Sequence, residues 1–385
     1  MFSTPLLEAL RGPTEGKTRP LQEVEYCGAI TAARFSNPQQ EFDALMNRCG
    51  LYDLGYRARI SLKGSDRVRW LNGMVTNNIR DLALGNGVYS FLLNPQGRIL
   101  GDMVVHNEAE SLTVETDRSQ LETLLATFDH YIIMDDVEVS NTNDRWTALG
   151  VGGTKSRSIL NAAGIAVPEM RPLQTHAAQC DCDCGCVTCT IVRGEETAQE
   201  SIPDFPHYES YEIWLAPENV AKTWHSLVAA GATPGGTEAL EMRRIQSGVP
   251  LFGVDIRERD LPQETEQMRA LNFNKGCYVG QEIVERIRSR GNVHRKFTGF
   301  QFAGSAEIAP GSKIISSEKE VGEITSVALL RSPSGERTLA LGYIRREVGI
   351  PGREVMIGGF QFIVAQLPME GVGTRQVQES LLQPR

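Results

Sequence analysis

The stretch that begins at residue 293 leaves the least freedom. "RKFTGFQFAG", "KIISS", "VGEITSVALL", "RTLALGYI", "REVMIGG" and "FQFIVAQL" are short apolar runs at regular spacing, divided by glycine-bearing turns. Such short strands at regular spacing are the pattern of a small closed or stacked sheet. We expect a small β-barrel or sandwich over 293–370. The tail, 371–385, has too little apolar content to need order.

The chain before it has another texture. "SNPQQEFDALMNRCG" predicts a helix with Asn37 as N-cap and Pro38 at the first helical position. Phe42, Leu45, Met46 and Cys49 share its apolar face, and Gly50 stops it. "YRARISLKG" alternates as a strand does, and "SDRVRWLNGMVTN" reads as a helix capped by Ser65. "GNGVYSFLLNPQGRILGDMVVHN" gives two strands around the turn Asn94-Pro95-Gln96-Gly97. "SLTVET" is a strand, "DRSQLETLLATFDHYI" an amphipathic helix, and "DVEVS" and "RWTALGVGG" return to strand. Strands and helices in this irregular order predict an α+β fold, not an alternating Rossmann pattern. The expected division is a lead-in (1–36) with a few extended pieces, a first α+β unit (37–153) and a second α+β unit (154–292). The second unit has a helix at 156–163, strands at "VTCTIVRG" and "SYEIWLA", a helix from about Glu218 to Ala230 and another at "TEALEMRRIQSG". The polar "GEETAQESIPDFPHYE" reads as a loop.

A net charge of −9 disfavours bulk electrostatic binding to nucleic acid or anionic membrane. No apolar run approaches the ~18–20 residues that span a bilayer, and the N-terminus lacks the pattern of a secretory signal. The expectation is a cytoplasmic protein with no membrane partner. Of its eight cysteines, five lie within ten residues, at 180, 182, 184, 186 and 189. A disulfide framework is not expected in a reducing compartment.

A sixth cysteine has a distinctive setting, "NKGCYVGQE" at 274–282. The following "VGQEIVERI" reads as a helix starting close to Val279, which would put Cys277 near a positive helix end and beside Lys275. Helix starts and cations favour thiolates. A buried structural thiol on a turn is the alternative. No base is spaced to make a hydrolytic pair with Cys277, since His294 is seventeen residues on. The basic run 286–296, with Arg286, Arg288, Arg290, Arg295 and Lys296, is either a solvated face or an anion-binding segment.

"KGCYVGQE" is similar to the K-G-C-Y-x-G-Q-E signature of the YgfZ proteins, folate-binding relatives of the glycine-cleavage T-protein, an aminomethyltransferase. "GLYDLGYRARISLKGSDRVRWLNGMVTNNI", "NPQGRILGDMVV" and "EALEMRRIQSGVPLFGVDI" resemble further T-protein segments, so that the resemblance covers about residues 40–370. It implies a T-protein-like folate-binding framework of two α+β units with a C-terminal small β-barrel, and tetrahydrofolate as cofactor. It also implies an accessory role in maturing [4Fe–4S] client enzymes, with a possible tRNA-modifying partner. The alternative is a tetrahydrofolate-dependent aminomethyltransferase or other one-carbon transferase.

The resemblance assigns residues as well. Cys277 becomes the functional thiol, and Lys275, Tyr278 and Gln281 fall among the folate-binding residues. Asp102 matches the second of two family carboxylates, while Gly101 replaces the first, which puts aminomethyl transfer in doubt. Glu212 matches a family glutamate, and Glu209, near another, could accept two N–H bonds from a pterin. Arg244 matches a family arginine suited to an anionic folate tail.

"QCDCDCGCVTCT" lies outside that resemblance. Cys180, Cys182, Cys184, Cys186 and Cys189 are soft ligands for Zn²⁺, Cu(I) or iron–sulfur, but their spacing fits no standard template. Cysteines two apart in a strand stand roughly 6.6 Å from each other, whereas zinc-bound sulfurs need about 3.8 Å. The segment must curl to chelate. Metal binding and a loop of free thiols both stand.

Overall fold

The computed structural model describes residues 2–12, 20–182, 185–195, 208–291, 293–332 and 335–369. Its first residues form a built element where the sequence suggests a loose lead-in. Helix α1 (Pro5–Arg11) is capped by Thr4, whose Oγ1 accepts from the Leu7 amide at 3.3 Å, and it buries Leu6, Leu7 and Leu10. The Thr4 hydroxyl donates to buried Asp53, as does the Thr31 hydroxyl at 2.7 Å. A seven-residue helix is too short for periodicity to reveal; its packing partners lie elsewhere in the chain. A hairpin follows, β1 (Gln22–Tyr26) and β2 (Ala29–Arg34).

Helix α2 (Pro38–Asn47) starts where its sequence predicts, with Asn37 Oδ1 accepting from the Gln39 amide at 2.9 Å. Then come β3 (Gly50–Asp53), β4 (Arg57–Lys63), α3 (Arg67–Met74), β5 (Gly87–Leu93), β6 (Ile99–Asn107), β7 (Leu112–Asp117), α4 (Leu121–Tyr131) and β8 (Glu138–Asn141). The cap of α3 is Asp66, not Ser65, which instead bonds Asp136. The chain continues through β9 (Thr147–Gly153), α5 (Ser156–Ala162), β10 (Thr175–Cys182), β11 (Gly185–Arg193), β12 (Glu209–Leu215), α6 (Val220–Ala229), β13 (Thr233–Gly235), α7 (Thr237–Ser247) and α8 (Gln281–Arg290).

Two sheets result. One has the order β5-β6-β7-β4-β8, and α3 and α4 cover one face of it with Leu71, Trp70, Leu124 and Phe128. The other has the order β10-β11-β12-β9-β3-β13, with Trp224, Leu160 and Tyr211 in its core. Since β3 pairs with β9 and β13, the five-stranded unit is an insertion between β3 and β9. The expected cut at 153 therefore passes through neither sheet's natural border.

The C-terminal strands are β14 (Arg295–Ala303), β15 (Lys313–Ser316), β16 (Lys319–Ser332), β17 (Gly335–Arg345), β18 (Glu354–Ile357) and β19 (Phe360–Ala365). They close into a barrel in the order β14-β17-β16-β15-β18-β19 around Phe300, Ile324 and Phe362. Its outer face packs through Phe297, Leu341 and Tyr343 onto the cluster that holds Phe42, Tyr52, Trp214 and Ala239. Asp255 ties this contact down. Fully buried, it accepts from Arg244 Nη1 at 2.5 Å, the Leu251 amide at 3.0 Å, the Ser326 hydroxyl at 2.8 Å and the Thr325 hydroxyl.

The cysteine run lies on the β10–β11 hairpin, with Cys180 opposite Val187, Asp181 opposite Cys186 and Cys182 opposite Gly185. Cys184 lies outside the described residues. Cys189 is buried in the core with Ile191 and Trp224. Among the described residues no group of three or more histidine, cysteine or acidic side chains is placed to hold a metal ion. No described helix is long and apolar enough to cross a membrane.

Candidate functional site

A cavity of about 840 Å³ opens between the two sheets, α7 and the barrel. Its floor follows from strand register. Arg57 and Arg59 on β4 stand opposite Asp117 and Glu115 on β7, and Glu115 stands opposite Val104 on β6. The same register continued by two residues brings Asp102 level with Asp117. Side chains two apart share a face, so one charged face, with Arg57, Asp117, Asp102 and Glu115, lines the cavity.

These groups are tightly held. Arg57 donates from Nε to Glu115 and from Nη1 to Asp117, both at 3.1 Å. Tyr89 donates to Asp102 Oδ2 at 2.6 Å and Gln120 Nε2 to Oδ1 at 2.8 Å, while Gln120 Oε1 accepts the Asp102 amide at 2.9 Å. Burial raises Asp117 to about 6, against the pull of Arg57 and with a further push from Asp102. Glu115 is also buried, but Arg57 and Arg59 outweigh that and hold it below the usual carboxylate range.

The second sheet supplies Glu212 on β12. It accepts from Trp214 Nε1 at 2.9 Å. Burial, reinforced by the charge of Glu115, raises it to about 7. Nearby His106 is 1% exposed, and neither ring nitrogen has a hydrogen-bond partner among the described residues. At the rim, the Arg243 guanidinium lies 4.5 Å from the Tyr208 ring and Arg269 lies 4.4 Å from the Tyr89 ring.

The residues singled out from sequence divide sharply. Asp102, Glu212 and Arg244 line the cavity. Arg244 is occupied there by Asp255 and by Glu241, which accepts at 2.9 and 2.7 Å, so it braces the wall. Glu209 points elsewhere. Its carboxylate accepts from Arg157 at 3.1 and 2.7 Å and it does not line the cavity. Alternation along β12 separates it from Glu212, three positions on.

"KGCYVGQE" is not part of the cavity wall. Lys275 is 9% exposed, and its Nζ donates to the carbonyls of Asn72, Val75 and Asn77, each at 2.6 Å, at the C-terminal end of α3. Burial and the charge of Arg80 lower it to about 7. Tyr278 is buried with Phe91 and Val284. Gln281 opens α8 and accepts the Tyr278 amide at 3.3 Å. Gly280 has φ +81°, and a Cβ there would meet the Asn94 carbonyl oxygen at 2.6 Å. The helix starts two residues beyond the expected Val279, and Cys277 stands exposed ahead of it. Within the basic run, Arg295 pairs with Asp260 at 2.6 Å and Glu264 at 3.0 Å, while Lys296 lines the cavity.

Sequence reading missed Arg57, Glu115, Asp117 and His106. A signal for Arg57 and Glu115 existed, because "YRARISLKG" and "SLTVET" each carry a polar face, but a polar strand face ordinarily meets water.

The cavity has the size of a small-molecule site, which runs about 300–1,000 Å³. Acid acceptors on its floor suit N–H donors of a ligand, and arginines at its rim suit an anionic group.

The family model described as the GCVT N-terminal domain matches residues 14–275. An aminomethyltransferase of Rubrobacter xylanophilus is 26% identical over 351 residues, covering 90% of this chain and 87% of its own. A putative chloroplastic transferase of Arabidopsis thaliana is 25% identical over 341 residues, covering 87% of this chain and 74% of its own. The crystal structure of the glycine cleavage system aminomethyltransferase T from Bartonella henselae superposes with a TM-score of 0.77 at 20% identity, covering 90% of this chain and 93% of that one. That last likeness is one of fold.

Proposed function

Because the chain belongs to the GCVT N-terminal domain family, we propose that it is a tetrahydrofolate-dependent one-carbon transferase of the aminomethyltransferase kind. The observation that carries this reading is the cavity, with Asp102, Asp117 and Glu212 converging from two sheets. Tetrahydrofolate, when bound, supplies the nitrogen that accepts the one-carbon unit. The protein's part is to accept pterin N–H bonds at Glu212 and to present charge at Asp102, fixed by Tyr89 and Gln120. Aromatic side chains at Tyr52, Tyr56 and Tyr89 exclude water from the walls.

Calorimetric titration with tetrahydrofolate tests this. The wild type binds saturably, Glu212→Gln weakens binding by about tenfold, roughly one lost charge-assisted hydrogen bond, and Asp102→Asn lowers methylene-tetrahydrofolate formation from an aminomethyl donor. A wild type that binds no folate refutes the reading.

Exposed Cys277, in its YgfZ-like motif and outside the cavity, favours a second reading. In it the protein is a folate-binding accessory of [4Fe–4S] enzyme maturation, linked to tRNA modification. The relatives named aminomethyltransferase support the first reading better. Full complementation of a deletion strain by Cys277→Ser would sink the second.

A further inference from the structure

A second cavity, of about 400 Å³, lies between the outer wall of the barrel and the segment 255–264. Among the described residues it shares none of its lining with the first. It too has the volume of a small-molecule site.

The charges on its wall are unequally engaged. Each described acid there already has partners. Asp255 is held as described above. Asp260 accepts from the Arg257 amide at 2.7 Å and from Arg295 Nη2 at 2.6 Å, and Glu264 from the Leu261 amide at 3.1 Å and Arg295 Nη2 at 3.0 Å. Glu320 and Glu323 both reach Lys313, at 3.1 and 3.0 Å, and Arg257 stands 3.6 Å from Glu323. The basic side chains differ. Arg259, His294 and Arg345 line the cavity and are exposed, and among the described residues their side chains make no hydrogen bond or ion pair.

These three are gathered around one residue. Arg345 on β17 stands directly opposite Arg295 on β14, His294 precedes Arg295 in the chain, and Arg259 precedes Asp260, the partner of Arg295. Like charges directly opposite on a sheet are unfavourable. Asp260 and Glu264 answer Arg295, and no described acid answers Arg345. The backbone beneath is fixed: the Arg259 carbonyl accepts from Arg98 Nη1, the Ile99 amide donates to the Asp260 carbonyl at 3.2 Å, and the Arg346 amide to the His294 carbonyl at 2.9 Å.

We propose that this second cavity binds a phosphate dianion, free or borne on a small molecule, held by Arg259, Arg345 and His294. Guanidinium forks match phosphate oxygens two at a time, and the acids nearby already face other cations. The inference does not depend on the folate reading of the first cavity.

Calorimetry of the full-length protein tests it with inorganic phosphate and glycerol 3-phosphate at about 0.15 M salt, where distant surface charges are screened. At least one probe binds saturably, and the tighter of the two tells whether the site takes the free ion or an ester. Arg345→Gln and Arg259→Gln each weaken that binding about tenfold, roughly the loss of one charge-assisted hydrogen bond. Arg346→Gln, an exposed neighbour paired with Glu266 outside the cavity, changes it less than about twofold. Saturating tetrahydrofolate leaves it within the same limit. Failure of both probes to saturate overturns the proposal. So does an equal loss in Arg346→Gln, which signals general surface charge, and so does displacement by tetrahydrofolate, which puts the ion in the first cavity. A short single-stranded RNA that binds more tightly than either probe, and weakens in the same two variants, also overturns it and assigns these arginines to a nucleic-acid backbone.

Discussion

Replacing Lys275 by methionine separates a structural from a ligand-binding role for the "KGCYVGQE" motif. Methionine keeps the apolar stem and removes the ammonium. The Nζ has three carbonyl acceptors, from Asn72, Val75 and Asn77, matching the three N–H donors of the charged form. A buried carbonyl left without its donor costs about 1–3 kcal/mol. Burying the ammonium costs several kcal/mol in return, and removal leaves carbonyls at the end of α3 without a donor. The net expectation is a loss of about 3–5 kcal/mol, a large part of a stability of about 5–15. Urea unfolding gives that loss as a lower midpoint, and hydrogen exchange localises it to residues 72–79. The pH dependence gives a second sign. The folded pKa of about 7 lies below the ordinary 10.5, so the unfolded chain binds more protons between those values. Wild-type stability therefore declines as pH falls from 10.5 to 7 and is then level, and the variant lacks that slope. Tetrahydrofolate affinity of the folded variant stays within about threefold. A loss below about 1 kcal/mol, with exchange at 72–79 unchanged, would refute the capping argument.

Two further substitutions test the same framework. Gly280→Ala should destabilise by roughly 2–4 kcal/mol, seen as a lower thermal midpoint, because φ is +81° and the new methyl meets the Asn94 carbonyl oxygen at 2.6 Å. Gly101→Asp should not restore a cavity carboxylate. A Cβ there would lie 3.0 Å from Gln120 Oε1 and Leu124 Cδ2, so the new side chain disturbs the Gln120 clamp on Asp102; transfer activity falls and stability drops by roughly 2–3 kcal/mol.

What was legible in the sequence was local. The Asn37 cap, the turn at Asn94 and the barrel strands each announce themselves within a few residues, where backbone chemistry decides the outcome. Helix α1 escaped because its partners, among them Trp224 and Leu215, lie some two hundred residues on in the chain. The cavity floor escaped for a related reason. Arg57, Asp117 and Asp102 become neighbours through cross-strand register, which no window of sequence contains. The motif match drew notice to Lys275 and Cys277, but their identity alone does not distinguish a side chain that caps a helix from one that touches a ligand. For Glu209 and Glu212, strand parity decided which one enters the cavity, and an offset of one residue in alignment reverses parity.

Asp255 has a consequence for any attempt to recombine these parts. The barrel has its own interior and begins at a natural-looking border, so it invites use as a portable module. Cutting there would strip Asp255 of the Ser326 and Thr325 hydroxyls and deprive Arg244 of its 2.9 Å contact to Ser326. A transplanted barrel must therefore carry both hydroxyls in place, or the recipient inherits a carboxylate that lacks two of its partners. Exchange of barrels between relatives is constrained less by the barrel's own sequence than by two adjacent residues on its outer wall.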